Sequence, residues 1–195
     1  MNLLFASHNQ NKVNEISALL DGKIKIQSLN DVGIFDEIEE YGKTLTENAL
    51  IKARFVFDKT KQSCFADDTG LLVDALNGAP GVLSARYAGV EKNADKNMDL
   101  LLQNLIQNNN RKAKFVTTIA LLFEGKEILF EGFLEGEIIT EKKGNAGFGY
   151  DPIFLPKGFS KTLAEMNLEE KNKISHRAIA FEKLKSFLLA LNNVS

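Results

Sequence analysis

The chain has 195 residues, of which 44% are hydrophobic and 26% charged, with a net charge of −2. That length supports one sizeable core, and the composition excludes the disordered and fibrous classes. Near-neutrality leaves no global positive field, so a bound polyanion would need locally clustered cations, and nucleic acid is not an expected partner.

The first element is "NLLFA" (2–6), a short apolar run read as a buried strand. In "NKVNEISALL" (11–20), Val13, Ile16, Leu19 and Leu20 share one helical face, and Asp21-Gly22 is read as its close. "KIKIQSL" (23–29) alternates as a half-buried strand does, and an acidic loop, "DEIEEYG" (36–42), follows. "TLTE" (44–47) has capping-box spacing and opens a helix to about Lys61, with Leu45, Ala49, Ala53, Val56 and Phe57 as its stripe. "FADDTGLLVDALNGAPGVLSARYAG" (65–89) reads as a buried strand that ends in two acids and is followed by a rigid turn.

A helix over 93–107 would turn Met98, Leu101, Leu102, Leu105 and Ile106 inward, and "QNNNRK" (107–112) is a surface loop. The segments 113–123 and 127–139, joined by "EGK", give the clearest hairpin signal in the chain. A glycine-rich loop, "KGNAGFGYD" (143–151), leads into the strand "PIFL". A final helix, 175–193, has Ser175 as its N-cap and Ile179, Leu184, Leu188 and Leu191 on its buried side. The order of elements predicts a mixed α/β protein rather than a strictly alternating one, organised as a single domain over 1–195. Cys64 allows no internal disulfide, no apolar run approaches the roughly 20 residues of a membrane helix, and the N-terminus lacks signal-peptide layout. A soluble, cytoplasmic protein is the expectation.

Four segments carry more polar and glycine residues than packing requires. "SHNQNK" (7–12) joins strand to helix, where backbone N–H groups and the helix dipole favour phosphate and Lys12 adds charge, although Asn9 and Asn11 would also serve as plain helix caps. Asp67 and Asp68 suit Mg²⁺, which takes one or two carboxylates and leaves its other positions to water and substrate phosphate; a turn cap is the structural alternative. Arg86 nearby fits a structural ion pair as well as a ligand contact. In "GNAGFGYDPIF" (144–154) the glycines allow close backbone approach, and Phe148 and Tyr150 offer faces on which a base could stack. The loop runs into a strand rather than a helix, which excludes a dinucleotide-binding fold. In "EEKNKISHRAIAF" (169–181), His176 and Arg177 sit at a helix start, where the dipole disfavours cations unless an anion or acceptor is present. Neither histidine has a second ligand at zinc spacing. Together these residues describe a nucleoside triphosphate site.

"FASHNQNKVNEI", "EEYGKTLTENALIKA", "ADDTGLLVDALNGAPGVLSARYAG", "GFGYDPIF" and "EEKNKISHRAIAF", five motifs in register, resemble the inosine/xanthosine triphosphate pyrophosphatases, the non-canonical purine NTP pyrophosphatase family. The resemblance implies an elongated mixed β-sheet flanked by helices, two lobes with the active-site cleft between them, and usually a homodimer. It implies Mg²⁺-dependent hydrolysis of ITP, dITP and XTP to the monophosphate and pyrophosphate. By the same resemblance Ser7, His8, Asn9, Gln10, Asn11 and Lys12 bind the triphosphate, and Lys52 reaches it. Asp68 is proton acceptor and metal ligand, Glu39 completes the metal site with Glu40 as the alternative, and Asp67 supports Asp68 or a second metal. Thr69 contacts substrate, while Phe148, Gly149, Tyr150 and Asp151 enclose the base. Lys171, His176 and Arg177 hold the base edge or sugar, with Arg177 a candidate for the 6-oxo group. Thr69 stands where serine is usual, Tyr41 where threonine is usual, and His8 where glycine is often found. Two other readings stay open: a similarly folded Maf-type pyrophosphatase for modified pyrimidine nucleotides, and a nucleotide-binding module without hydrolysis.

Overall fold

The structure, a computed structural model, describes residues 2–20 and 24–192; the expected helix close at Asp21-Gly22 lies outside them. The elements in chain order are β1 (Asn2–Phe5), α1 (Gln10–Ser17), β2 (Lys25–Ser28), α2 (Leu45–Thr60), β3 (Cys64–Val73), β4 (Pro80–Gly81), α3 (Ala94–Asn104), β5 (Lys112–Phe123), β6 (Lys126–Ile138), β7 (Phe154–Pro156), α4 (Leu168–Asn172) and α5 (His176–Asn192). Among the described residues the strands form a mixed sheet in the order β2-β1-β3-β5-β6-β7, with β4 paired to β3. Contacts divide the chain into two compact units, one of residues 1–68, 117–132 and 177–195 and the other of 69–116 and 133–176.

In the first unit β1 pairs in parallel with β2, Leu3 opposite Ile26, and with β3, Phe5 opposite Phe65. Side chains alternate faces along a strand, and this sorts the core into two clusters. Leu3, Phe5 and Phe65 pack with Ile16 of α1 and with Phe181, Leu184 and Leu188 of α5; the Phe5 and Phe65 rings stack at 4.6 Å. Leu4, Ala6, Cys64 and Ala66 pack instead with Ala49, Ala53 and Val56 of α2. Small residues along α2 let that helix approach the strands closely. Thr44 caps it by accepting from the Glu47 N–H, a bond whose loss costs about 1 kcal/mol. The Glu47 carboxylate reaches back to the Lys43 N–H, one residue beyond the usual capping box. Between β5 and β6, Glu124 (φ 49°) and Gly125 (φ 75°) both take positive φ, as a tight hairpin turn requires.

In the second unit β4 runs antiparallel to β3, with Leu72 opposite Pro80, and β7 antiparallel to β6, with Glu137 opposite Leu155. Leu71 and Val73 enter a core with Leu101, Leu105, Phe115, Tyr150, Ile153 and Phe154. The "GAPGVLSARYAG" segment is fixed by polar bonds. The Leu71 N–H donates to Ser84 Oγ (2.9 Å), that hydroxyl donates to the Gly81 carbonyl, and the buried Asn97 accepts from the Ala88 N–H at 2.7 Å.

Three expectations need correction. β3 does not end at the aspartates but continues through both to Val73. Helix α3 stops at Asn104, before Ile106, which is 81% exposed rather than inward. Ile179 is also exposed at the surface of α5, whose buried face is carried by Ala180, Phe181, Leu184 and Leu188. Helix α4, the short "LEEKN" segment, was not anticipated; Asn167 just before it and Glu170 form its capping box.

Candidate active site

Strand geometry answers the question posed by adjacent carboxylates. Residues 65 and 67 share one face of β3, and residues 66 and 68 share the other. Asp67 therefore continues the Phe65 face, toward α1 and α5, while Asp68 continues the Ala66 face, toward α2. Both are buried, at 1% and 7% exposure.

Asp67 Oδ1 accepts from Lys12 Nζ at 2.9 Å and Oδ2 accepts from Arg177 Nε at 3.2 Å. The Arg177 guanidinium also donates to the Glu15 carboxylate. Burial works against the Asp67 charge, but Lys12, Arg177 and Lys52 outweigh it and hold the carboxyl well below its ordinary range. Arg177, at 2% exposure, is thus a cation inside the first unit that anchors Asp67.

Asp68 differs. Its Oδ1 accepts from Lys52 Nζ at 3.2 Å and its Oδ2 from Asn48 Nδ2 at 3.2 Å. Burial raises its pKa, Lys52 and Lys12 lower it, Glu40 and Asp67 raise it, and the balance is upward. Two neighbouring carboxyl groups are thereby driven in opposite directions, the arrangement that separates a proton-accepting acid from a permanently ionised one. Lys52 Nζ also donates to Glu40 Oε1 at 2.7 Å. Burial lowers the Lys52 pKa, yet Asp68, Glu40 and Asp67 more than compensate, so the ammonium stays charged.

Glu39 is exposed, and the acid brought to Lys52 is Glu40. No group of three or more His, Cys, Asp or Glu side chains arranged to hold a metal occurs among the described residues. Two carboxylates sharing one ammonium nevertheless match the chemistry of Mg²⁺, which completes its shell with water and phosphate oxygens.

The 7–12 segment opens α1. Asn9 accepts from the N–H groups of Asn11 and Lys12, so the capping reading is realised. His8 bridges Asn30 and the Asp36 carbonyl; Asn9, Gln10 and Asn11 are exposed, Ser7 and Lys12 half-buried. Burial lowers the Lys12 pKa against the pull of Asp67.

In the second unit Thr69 is half-buried on β3. Asp151 accepts from the Phe148 N–H at 2.8 Å and from Lys171 Nζ, which lies 4.9 Å from the centre of the Phe148 ring. Gly147 has φ +72°, and a Cβ there would collide with the Asp151 carboxylate, so glycine is required for this turn. Phe148 and Gly149 are half-buried. Tyr150 is not an open stacking surface: its ring is in the core, 4% exposed, and its hydroxyl donates to the Ser84 carbonyl at 2.8 Å. His176 is buried against Phe115, with ring centres 4.6 Å apart.

Sequence reasoning missed Asn48 and Glu15. Asn48 lies four residues before Lys52 on α2, a spacing that puts both on one helical face and could have drawn notice to it. Nothing local marks Glu15, since its partner is 162 residues away.

Fold and centre together define a mixed α/β protein built around a buried carboxylate held by lysine and asparagine on one strand face. The chain belongs to the Ham1 family, whose model matches residues 3–187. It is similar to the dITP/XTP pyrophosphatase of Christiangramia forsetii, 54% identical over 96% of this chain and 99% of that one. It is likewise similar to that of Flavobacterium johnsoniae, 53% identical over 97% and 99%. Among solved structures, a HAM1 protein from Coxiella burnetii superposes with TM-score 0.89 at 39% identity, covering 97% of this chain and 99% of that one. The resemblance read from the five motifs therefore holds, as does the mixed α/β fold with flanking helices.

Proposed function

We propose that this chain is a nucleoside triphosphate pyrophosphatase that hydrolyses dITP, XTP and ITP to the monophosphate and pyrophosphate, clearing deaminated purines from the nucleotide pool. The observation that carries the proposal is Asp68, buried with its pKa raised and held by Lys52 and Asn48 beside Glu40. The names of relatives about 50% identical over nearly the whole chain support the substrate class.

Asp68 accepts a proton from a water whose oxygen attacks the α-phosphorus. The bond from that phosphorus to the bridging oxygen breaks, and pyrophosphate leaves. Lys12 and Lys52 meet the charge on the triphosphate, and catalysis of this type rests on positioning and charge neutralisation. Asp68 and Glu40, with Glu39 adjoining, are the proposed Mg²⁺ ligands; the ion would neutralise phosphate charge. Ser7 through Asn11 offer backbone and side-chain donors to phosphate. Thr69 is a proposed substrate contact, and Phe148 with Gly149, Asp151 and Lys171 is proposed to read the base, Tyr150 and His176 backing that loop from the core. Arg177 acts on Asp67. The protein is proposed to work as one domain, as a cytoplasmic homodimer, without nucleic acid; no helix among the described residues is long and apolar enough to cross a membrane.

The test is pyrophosphate release from dITP, XTP, ITP, GTP, ATP and a modified pyrimidine triphosphate with Mg²⁺, for the wild type and for Asp68→Asn. Preference for the 6-oxo purines dITP, XTP and ITP, with kcat lowered by orders of magnitude in the folded variant, is the expected result. Near-normal turnover by Asp68→Asn sinks the assignment. A preference for ATP or the pyrimidine refutes the substrate class.

A further inference from the structure

Asn48 is fully buried in α2, and two bonds fix its orientation. The Gly42 N–H lies 2.8 Å from Oδ1. A backbone N–H is only a donor, so the amide atom facing it must be the oxygen. The amide nitrogen then faces Asp68 Oδ2 at 3.2 Å, while Lys52, one turn further along the same helix, takes Oδ1 at 3.2 Å. One helix face thus grips both oxygens of Asp68. A Cβ at position 42 would lie 2.6 Å from Asn48 Oδ1 and 2.9 Å from its backbone nitrogen. The bare glycine is therefore what lets the acidic loop close onto the amide.

We propose that Asn48 is the positioning residue of Asp68: anchored by the Gly42 N–H, its amide sets the rotamer of the carboxylate and ties the acidic loop to it. This rests on the reading of Asp68 as the proton acceptor. Asn48→Asp keeps the shape and still accepts from Gly42, but it turns the donor facing Asp68 into an acceptor.

The expected result for Asn48→Asp is a fall in kcat for dITP on the order of 10²-fold, the scale of losing one aligned donor, with KM held within about threefold. The second measurement needs no catalysis. Asn48→Asp and Asp68→Asn, each alone, should lower Tm by several degrees in chelator-treated buffer. The double exchange should restore it, because the amide introduced by Asp68→Asn would donate to the new carboxylate and accept from Lys52. It should remain inactive, lacking the Asp68 carboxylate. Wild-type kcat in Asn48→Asp, or a double variant whose Tm loss equals the sum of the two single losses, overturns the positioning role. Failure of the function reading looks different: Asp68→Asn would turn over dITP normally while the Tm recovery stood.

Discussion

Replacing Arg177 by methionine removes the guanidinium with little change in length. In the native chain it donates to Asp67 at 3.2 Å and to Glu15, and these three side chains are 2%, 1% and 4% exposed. Asp67 keeps Lys12 at 2.9 Å, whereas the Glu15–Arg177 pair is broken inside the protein. Removing one partner of a buried ion pair costs about 3–5 kcal/mol. For a chain of this size 1 kcal/mol corresponds to roughly 2–4 °C in Tm, so the expected loss is about 6–20 °C. The assay is thermal unfolding by circular dichroism at pH 7, repeated across pH and in 1 M salt. The sign with pH follows from Asp67. Its folded pKa lies below the ordinary 3.8, so its contribution is complete above that value and is lost as pH falls toward the depressed one. The gap between wild type and variant should be widest at pH 7 and narrow as pH falls, first as the buried Glu15 carboxylate left without its guanidinium takes a proton and then as Asp67 does. It should also persist in salt, since buried charges are weakly screened. A Tm within about 2 °C of wild type at pH 7, or a deficit abolished by salt, would falsify the argument.

Other outcomes follow from the same structure. Gly147→Ala forces a side chain onto the Asp151 carboxylate at φ +72°; it should cost about 1–3 kcal/mol and raise KM for dITP more than it lowers kcat, measured by steady-state kinetics. Cys64 is fully buried, and burial pushes its thiol up to about 12, so native protein at pH 7.5 should resist iodoacetamide and react once denatured, as mass spectrometry would record. Arg54 pairs with Glu127 at 2.6 Å across an exposed surface, and Arg54→Ala should change stability by no more than about 1 kcal/mol in urea unfolding. A larger loss there would mean that the pair is more than a solvent-screened surface contact.

Much of the fold was legible because local patterns are strong where packing is regular. The stripe Ala49, Ala53 and Val56 marked α2, and the two apolar-rich segments joined by "EGK" marked the β5–β6 hairpin. Boundaries slipped where propensity and packing disagree: Ile106 continues the apolar period of α3, but the helix ends before it and leaves it exposed. Within the site, the motifs marked Lys12, Lys52, Asp68 and the glycine-aromatic loop as residues of chemical interest. They left Glu39 and Glu40 as alternatives, since adjacent acids in one loop carry the same chemistry, and Glu40 is the one that reaches Lys52.

The sequence by itself determined that two acids stand together at an apolar run read as a buried strand ending in them, with lysines, an arginine and glycine-rich turns disposed around them in a family's order. Only the tertiary structure decided that these acids do not confront each other. Alternation along β3 sends them to opposite faces, and partners 55 and 110 residues away meet Asp67 while partners 20 and 16 residues away meet Asp68. Which charge lies nearest each carboxyl depends on helices docked across the sheet, and no local pattern encodes that distance. One carboxyl is held ionised as a structural anchor, and the other is left able to take a proton.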